Sequence, residues 1–212
     1  MIYYVIPCRE QSMGVPNKNR FLWDYTVSKI PMDLYSNIIV TTDDECLLKK
    51  ANALSMKTIE RSTELSSEHA PIKPVIGDIV DSCGLNSDDD IVVLYLTYPD
   101  RTWEDVEKVL SFYQEKKAKS LLCARVIQAH PFLCFYKRPD NKGEPIVRHN
   151  LYRRQDYPDC FALSHFVSVL RVSEIDNLND NLYNIDTVFY PIDKEPIDID
   201  TQKDLEQLER LL

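Results

Sequence analysis

The sequence has no run of about 18 apolar residues, so it offers no membrane-spanning helix. No basic stretch with an apolar core and small-residue cleavage site opens the chain, which enters a strand at once. No export signal and no membrane partner are therefore expected. The six cysteines (Cys8, Cys46, Cys83, Cys123, Cys134 and Cys160) form no CxxC pair, which argues against a zinc ribbon or a thioredoxin-type motif. Their even number would allow disulfides, but without an export signal a reducing, cytoplasmic location is expected. Cys123, within the apolar run SLLCARV, reads as a small buried hydrophobe. Basic charge is also in deficit: 25 Lys and Arg stand against 34 Asp and Glu, a net charge of −9. That balance gives no basic face for a nucleic acid and serves solubility. The local cluster of Arg148, Arg153 and Arg154 suits a small anionic ligand. Internal repeats and low-complexity tracts are absent.

What is present is an alternation of short apolar runs with amphipathic stretches. This predicts an α/β fold with a mostly parallel sheet, as one domain over residues 1–212. Strands are expected at Ile2–Ile6, Ile38–Thr41, Lys57–Ile59, Ile91–Leu96, Ser120–Val126, Phe161–Arg171 and Val188–Tyr190. Helices are expected at 44–54 behind an Asp43 N-cap, at 71–83 behind Pro71, and at 103–117 behind Thr102. In the last of these Asp105 supplies a capping-box variant, and Val106, Val109, Leu110 and Tyr113 fall on one face. A final helix follows Thr201, with Asp204 in its first turn and Leu205, Leu208 and Leu212 along one side. Residues 137–153 break the alternation. With two prolines and one glycine, they are too long for an ordinary connection and read as an arm that is functional or reaches a partner.

Two stretches carry chemistry. The first, VIPCREQSMGVPNKN (5–19), leaves the first strand at its carboxyl end, where α/β sheets bind ligands. It matches neither GxxxxGK[ST] nor GxGxxG. Arg9 and Lys18 offer cations, and Ser12, Gly14 and Asn19 a hydroxyl, close backbone approach and an amide, as an anion loop requires. The same residues also fit a polar surface loop. The second, EPIDIDTQKDL (195–205), sets Asp198 and Asp200 two apart, on one face of an extended segment. Two converging carboxylates can hold Mg²⁺ beside substrate phosphates. Equally, Asp200 could cap the last helix while Asp198 is merely solvated.

Taken together, these motifs resemble the cytidylyltransferases that make CMP-activated sugar acids. The chain is most similar to CMP-acylneuraminate synthetases, over nearly its whole length. VIPCREQSMGVPNKN follows the family's IxARxxSKGxPxKN, IIVTTDD its IIVSTD, IERSTELSSEHA its LRPAELASDTA, VLYLTYPDRT its LLQPTSPLRT, and IDIDTQKDL its IDIDTEEDL. RRQDYP looks like its arginine–glutamine motif. The resemblance implies a Rossmann-like three-layer fold, a homodimer exchanging an arm at 137–153, and a role in surface-polysaccharide synthesis. It implies a Mg²⁺-dependent reaction of CTP with an acidic sugar that yields a CMP-sugar and pyrophosphate. Carried over by position, Arg9 and Lys18 contact phosphates, and Ser12, Gly14 and Asn19 complete the nucleotide loop. Arg61 and Ala70 meet the cytosine, and Asp198 and Asp200 hold the metal. Tyr95, Arg154, Gln155 and His165 face the acceptor. A GT-A-type glycosyltransferase using DID as its metal motif is a competing reading, but that motif normally follows a mid-chain strand. A non-catalytic scaffold is the third.

The departures from the family pattern are local. Met13 replaces the lysine before the loop glycine, which predicts weaker triphosphate binding. Ile72 replaces a serine that helps read cytosine. On the acceptor side, Tyr95 replaces glutamine and Leu133, beside His130 and Pro131, replaces lysine. Ala162, Ser164 and His165 replace arginine, asparagine and glycine. Losing a cation that pairs with a carboxylate costs about 2 kcal/mol, so an acceptor other than N-acetylneuraminate is expected. His165, in the alternation Phe161, Leu163, His165, Val167, reads as a pocket-wall or core histidine, or as a replacement polar contact.

Overall fold

Strand β1 (Ile2–Pro7) is the centre of the molecule, and its neighbours follow from the chain order. The computed structural model describes residues 1–12, 14–127 and 129–209. After β1 the chain makes α1 (Lys18–Val27) and returns as β2 (Ile38–Thr42), then α2 (Glu45–Ala53) and β3 (Lys57–Glu60). It then runs under the sheet as α3 (Ile72–Cys83) and emerges on the opposite side of β1 as β4 (Asp90–Val93). Next come α4 (Trp103–Glu115), β5 (Ser120–Val126), a small hairpin of β6 (Phe135–Lys137) and β7 (Gly143–Pro145), β8 (Phe161–Arg171), β9 (Val188–Pro191) and α5 (Gln202–Glu209). The main sheet has the order β3-β2-β1-β4-β8-β5-β9. It is parallel except for β8, which runs antiparallel to both β4 and β5.

Alternation along β1 explains the layers. Tyr4 and Ile6 face a core built with Leu22, Trp23, Leu47, Val106 and Leu208. Val5 faces the other way, onto Val75, Ile76 and Ile79 of α3 together with Leu178 and Leu182. The sheet is therefore sandwiched, as expected of a Rossmann-like α/β fold. The expected capping box of α4 is complete: Thr102 accepts from the Asp105 amide at 3.2 Å, and Asp105 accepts from the Thr102 amide at 2.9 Å. Cys123 is fully buried.

Several expectations need correction. Helix α1 has no periodic signature to announce it; it starts on Asn17, whose φ is 56°, without a side-chain cap. Strand β4 ends at Val93 rather than Leu96, because the chain peels away from the sheet to meet residues near the C-terminus. The N-cap of α2 is Asp44, not Asp43. Leu212 lies outside the described residues, while Leu208 is buried as expected.

Asp44 is 1% exposed and accepts from the Cys46 and Leu47 amides and, at 2.6 Å, from Arg20 Nε. Burial works against its charge, but the Arg20 hydrogen bond and the two amides outweigh it and hold its pKa below the ordinary carboxylate value. A folded pKa below the unfolded one contributes stability that is complete above the unfolded value of about 3.9 and is lost as pH falls through the folded one. Asp44→Asn should therefore lower the unfolding free energy by about 1–3 kcal/mol at neutral pH. Urea denaturation of both proteins across a pH series should show that gap closing below about pH 4.

Candidate active site

The chain leaves β1 for β2 on one side and later returns as β4 on the other, so the loops at the carboxyl ends of β1 and β4 diverge. That divergence opens a crevice in α/β sheets. The loop after β1 forms one wall. Asn19 Nδ2 donates to the Arg9 carbonyl at 2.8 Å, and the Glu10 amide donates to Asp43 Oδ1 at 2.7 Å. Asp43, displaced from capping, thus anchors this loop to the end of β2. Arg9 reaches across and donates from Nη1 to the Ser67 carbonyl at 3.1 Å, joining the loop to the segment between β3 and α3.

Between these walls lies a cavity of about 420 Å³. Its lining brings together Arg9, Ser12, Lys18 and Asn19 of the first loop and helix, Arg61, Ala70 and Ile72 around the start of α3, and Tyr95, His165, Asp180 and Asn181 from later in the chain. Arg61 is 8% exposed and donates from Nη2 to the Thr41 carbonyl at 3.0 Å, while its Nε has no partner. Burial lowers its pKa, with Cys8 and Asp43 opposing the shift. A desolvated guanidinium lining a cavity is suited to an acceptor atom or anion brought by a ligand. Tyr95 and His165 meet edge to face with centroids 5.6 Å apart. His165 Nδ1 lies 3.2 Å from Ser168 Oγ, and burial lowers its pKa.

A second cavity, of about 680 Å³, lies beside the first. Asp198, Asp200, Tyr98, Ser164, Arg125 and Glu195 are among its lining residues. Residues 197–200 belong to no strand, but the Ile199 amide donates to the Thr97 carbonyl at 2.9 Å. Ile199 is fully buried while Asp198 and Asp200 are exposed. The two-residue spacing therefore does place both carboxylates on the cavity side. Tyr98 donates to Asp198 Oδ2 at 2.8 Å. Desolvation, and then the charge of Asp200, raise the Asp198 pKa against the Tyr98 and Thr97 hydrogen bonds. Capping of α5 falls to Thr201 and Asp204: Asp204 Oδ2 accepts from the Thr201 amide at 2.7 Å and the Asp200 amide at 3.1 Å. The Asp200 carboxylate is left to Lys18.

Lys18 joins the two cavities. Its ammonium donates to the Ile199 carbonyl at 2.7 Å and to Asp200 Oδ1 at 3.1 Å, and the residue is buried. Two of its three donors are thereby used. Gly14 completes the junction: a Cβ built there would overlap the Asp200 carbonyl oxygen. The need for glycine here is close backbone approach. Among the described residues, no group of three or more Asp, Glu, His or Cys side chains converges as a metal cage. A pair of neighbouring, exposed carboxylates nonetheless fits Mg²⁺, which takes few protein carboxylates and fills its remaining positions with phosphate oxygens and water.

The sequence-predicted residues thus divide. Arg9, Ser12, Lys18, Asn19, Arg61, Ala70, Tyr95 and His165 meet in the first cavity, and Asp198 and Asp200 in the second. Arg154 and Gln155 lie on an exposed 3₁₀ turn and line neither cavity. Met13 lies outside the described residues. The expected alternation of His165 with Leu163 fails. Ser168 pairs with Leu122 and Ser164 with Cys123, so residues 165–167 bulge out of the ladder. As a result Leu163 lines the second cavity and His165 the first. Sequence reasoning missed Tyr98, Arg101, Arg125, Asp180 and Asn181, none of which lies in a recognisable local pattern. Arg101 is buried and donates to the Phe166 carbonyl at 2.6 Å and the Tyr95 carbonyl at 2.9 Å; burial lowers its pKa to about 10. It ties the bulge to the end of β4.

Gly14→Ala tests the junction. The added methyl must push the first loop and the Asp200 segment apart. Urea denaturation should show a loss of about 1–3 kcal/mol, and a loss within error would contradict the packing described.

No protein-family model matches the chain. Among solved structures, it is similar to a CMP:2-keto-3-deoxy-manno-octonic acid synthetase complexed with CTP, with a TM-score of 0.69 at 14% identity, covering 99% of this chain and 97% of that one. It is similar to a 4-diphosphocytidyl-2C-methyl-D-erythritol synthase from Anaerococcus prevotii, with a TM-score of 0.63 at 12% identity, covering 99% and 95%. A cytidylyltransferase from Leptospira borgpetersenii serovar Hardjo-bovis gives a TM-score of 0.59 at 13% identity, covering 98% and 84%. The chain has the α/β fold of these nucleotidyltransferases, and the motifs that resemble CMP-sugar-acid synthetases lie on that fold.

Proposed function

We propose that the protein is a cytidylyltransferase that transfers CMP from CTP to a small acidic sugar, releasing pyrophosphate. The observation that carries this reading is the Lys18 junction. It places a cationic loop and a desolvated arginine in one cavity, directly beside a carboxylate pair in the next. The triphosphate would lie along Arg9, Ser12 and Lys18 with the base toward Arg61 and Ala70. The acceptor would enter the second cavity, where its carboxylate would have to compete with Glu195, which holds Arg125 at 2.8 Å. An acceptor oxygen attacks the α-phosphorus, the bond from that phosphorus to the bridging oxygen breaks, and pyrophosphate leaves with the bond's electrons. The acceptor proton passes to a carboxylate at Asp198–Asp200, which would also hold Mg²⁺. When bound, the ion would neutralise charge on the phosphates. The protein's own contribution is positioning and fixed charge rather than a covalent intermediate.

The hairpin β6–β7 and the segment after it leave Phe135, Tyr136, Ile146, Leu151 and Tyr152 exposed. Apolar side chains in such number on a protruding element support its use as the dimerisation arm, with 137–153 exchanged between two copies in the cytoplasm.

Pyrophosphate release from each NTP, with Mg²⁺ and a panel of sugar acids, tests the reaction. Release from CTP only when an acceptor is present is the expected result. Cleavage of a nucleotide-sugar donor without pyrophosphate would indicate a glycosyltransferase, and no turnover of either kind would leave a scaffold. Asp200→Asn keeps an oxygen for Lys18, so the fold should persist while kcat falls by about a hundredfold or more. Near-normal turnover would remove Asp200 from the mechanism.

A further inference from the structure

The first cavity is lined in part by a turn that arrives from a distant part of the chain. Asp180 and Asn181 line the cavity together with Ile72 and Val75 of α3. The turn is held from both sides. Asn179 Oδ1 accepts from the Asn181 amide at 2.9 Å and the Tyr183 amide at 3.2 Å. The Leu182 amide donates to the Asn179 carbonyl at 2.9 Å, and the Asn179 amide donates to the Tyr183 carbonyl at 3.0 Å. Leu182 is only 1% exposed, packs in the core beneath α3, and adopts a φ of 63°. A leucine takes that conformation only where packing over-determines it. Lys73 of α3 adds a second tie, donating to the Asp176 carbonyl at 3.1 Å and the Leu178 carbonyl at 2.7 Å. The side chains of Asp180 and Asn181 carry none of the turn's hydrogen bonds, which leaves them for a ligand.

We infer that Asp180, assisted by Asn181, reads the nucleobase and makes the site selective for cytosine over uracil; this rests on the CTP reading above. The two bases differ along one edge. Cytosine presents an amino donor at C4 and an acceptor at N3, whereas uracil presents a carbonyl acceptor and an N–H donor. An ionised aspartate only accepts hydrogen bonds, and an arginine only donates them. The cavity lining holds one of each, Asp180 and Arg61. That pair matches cytosine, whose amino group meets the carboxylate and whose O2 and N3 meet the guanidinium. Uracil would set its C4 carbonyl against the carboxylate. Leu65, Ile72 and Val75 supply apolar lining for the faces of the ring. The side chain at position 72 has no polar atom with which to read a base, so the discrimination must come from elsewhere in the cavity.

The test compares CTP and UTP by isothermal titration calorimetry without acceptor, and by kcat/KM with an acceptor, for the parent, Asp180→Ala and Asp180→Asn. The parent should favour CTP. Asp180→Ala should cut that preference by about 10- to 100-fold, through KM rather than kcat and with UTP affinity unchanged or higher. Asp180→Asn, whose amide can present either an oxygen or an N–H, should admit UTP further. An unchanged preference, or an equal loss for both nucleotides, would overturn the assignment, since the latter is what a purely structural role predicts. A parent that binds neither nucleotide would instead overturn the CTP reading itself.

Discussion

Everything in the candidate site depends on one buried ammonium. Lys18 stands at the start of α1, yet its partners are the carbonyl of Ile199 and the carboxylate of Asp200, almost at the other end of the chain. The pair is asymmetric: the lysine side chain is 10% exposed and the aspartate 70%. The cation carries the desolvation cost, while the anion stays hydrated and open to the cavity. Removing the aspartate would leave the buried ammonium with the Ile199 carbonyl as its protein acceptor among the described residues. The interaction therefore serves chiefly to fix where the acidic segment sits against the first loop. Gly14 sharpens this role, since its missing side chain lets the loop backbone touch the Asp200 carbonyl.

The second constraint is the antiparallel insertion of β8 into an otherwise parallel sheet. Its bulge at residues 165–167 turns His165 to the first cavity and leaves Leu163 and Ser164 on the second. Arg101 holds that geometry by bridging the carbonyls of Phe166 and Tyr95. A buried arginine satisfied by carbonyls rather than by a carboxylate keeps its charge, because its pKa of about 10 still lies well above neutrality. One ladder irregularity and one buried cation thus separate two chemically different pockets, the first cationic at its loop end and the second dominated by carboxylates.

The layer architecture, the capping box of α4, the burial of Cys123 and the carboxylate spacing at Asp198 and Asp200 were legible in the sequence. Each is set by local periodicity or by side chains a few residues apart. Helix α1 was not, because its apolar face is weak and its first residue follows a left-handed asparagine without a cap. Asp43 was read as a cap and proves to hold the first loop through the Glu10 amide. Either aspartate could cap α2 on local grounds, and the choice is made by Arg20, which pairs with Asp44 from a neighbouring helix.

What the sequence determined by itself is the class of chemistry: cations after the first strand, two carboxylates near the end, and an α/β frame that carries ligands at its strand ends. Only the tertiary structure decided how these parts share space. It brought Asp180 and Asn181 to the cavity that Ile72 lines, moved His165 across the sheet, and left Arg154 and Gln155 at the surface. The physical reason is range. Periodicity and capping act over a few residues, whereas the bulge in β8, the turn beneath α3 and the Lys18–Asp200 contact arise from packing between segments far apart in the chain.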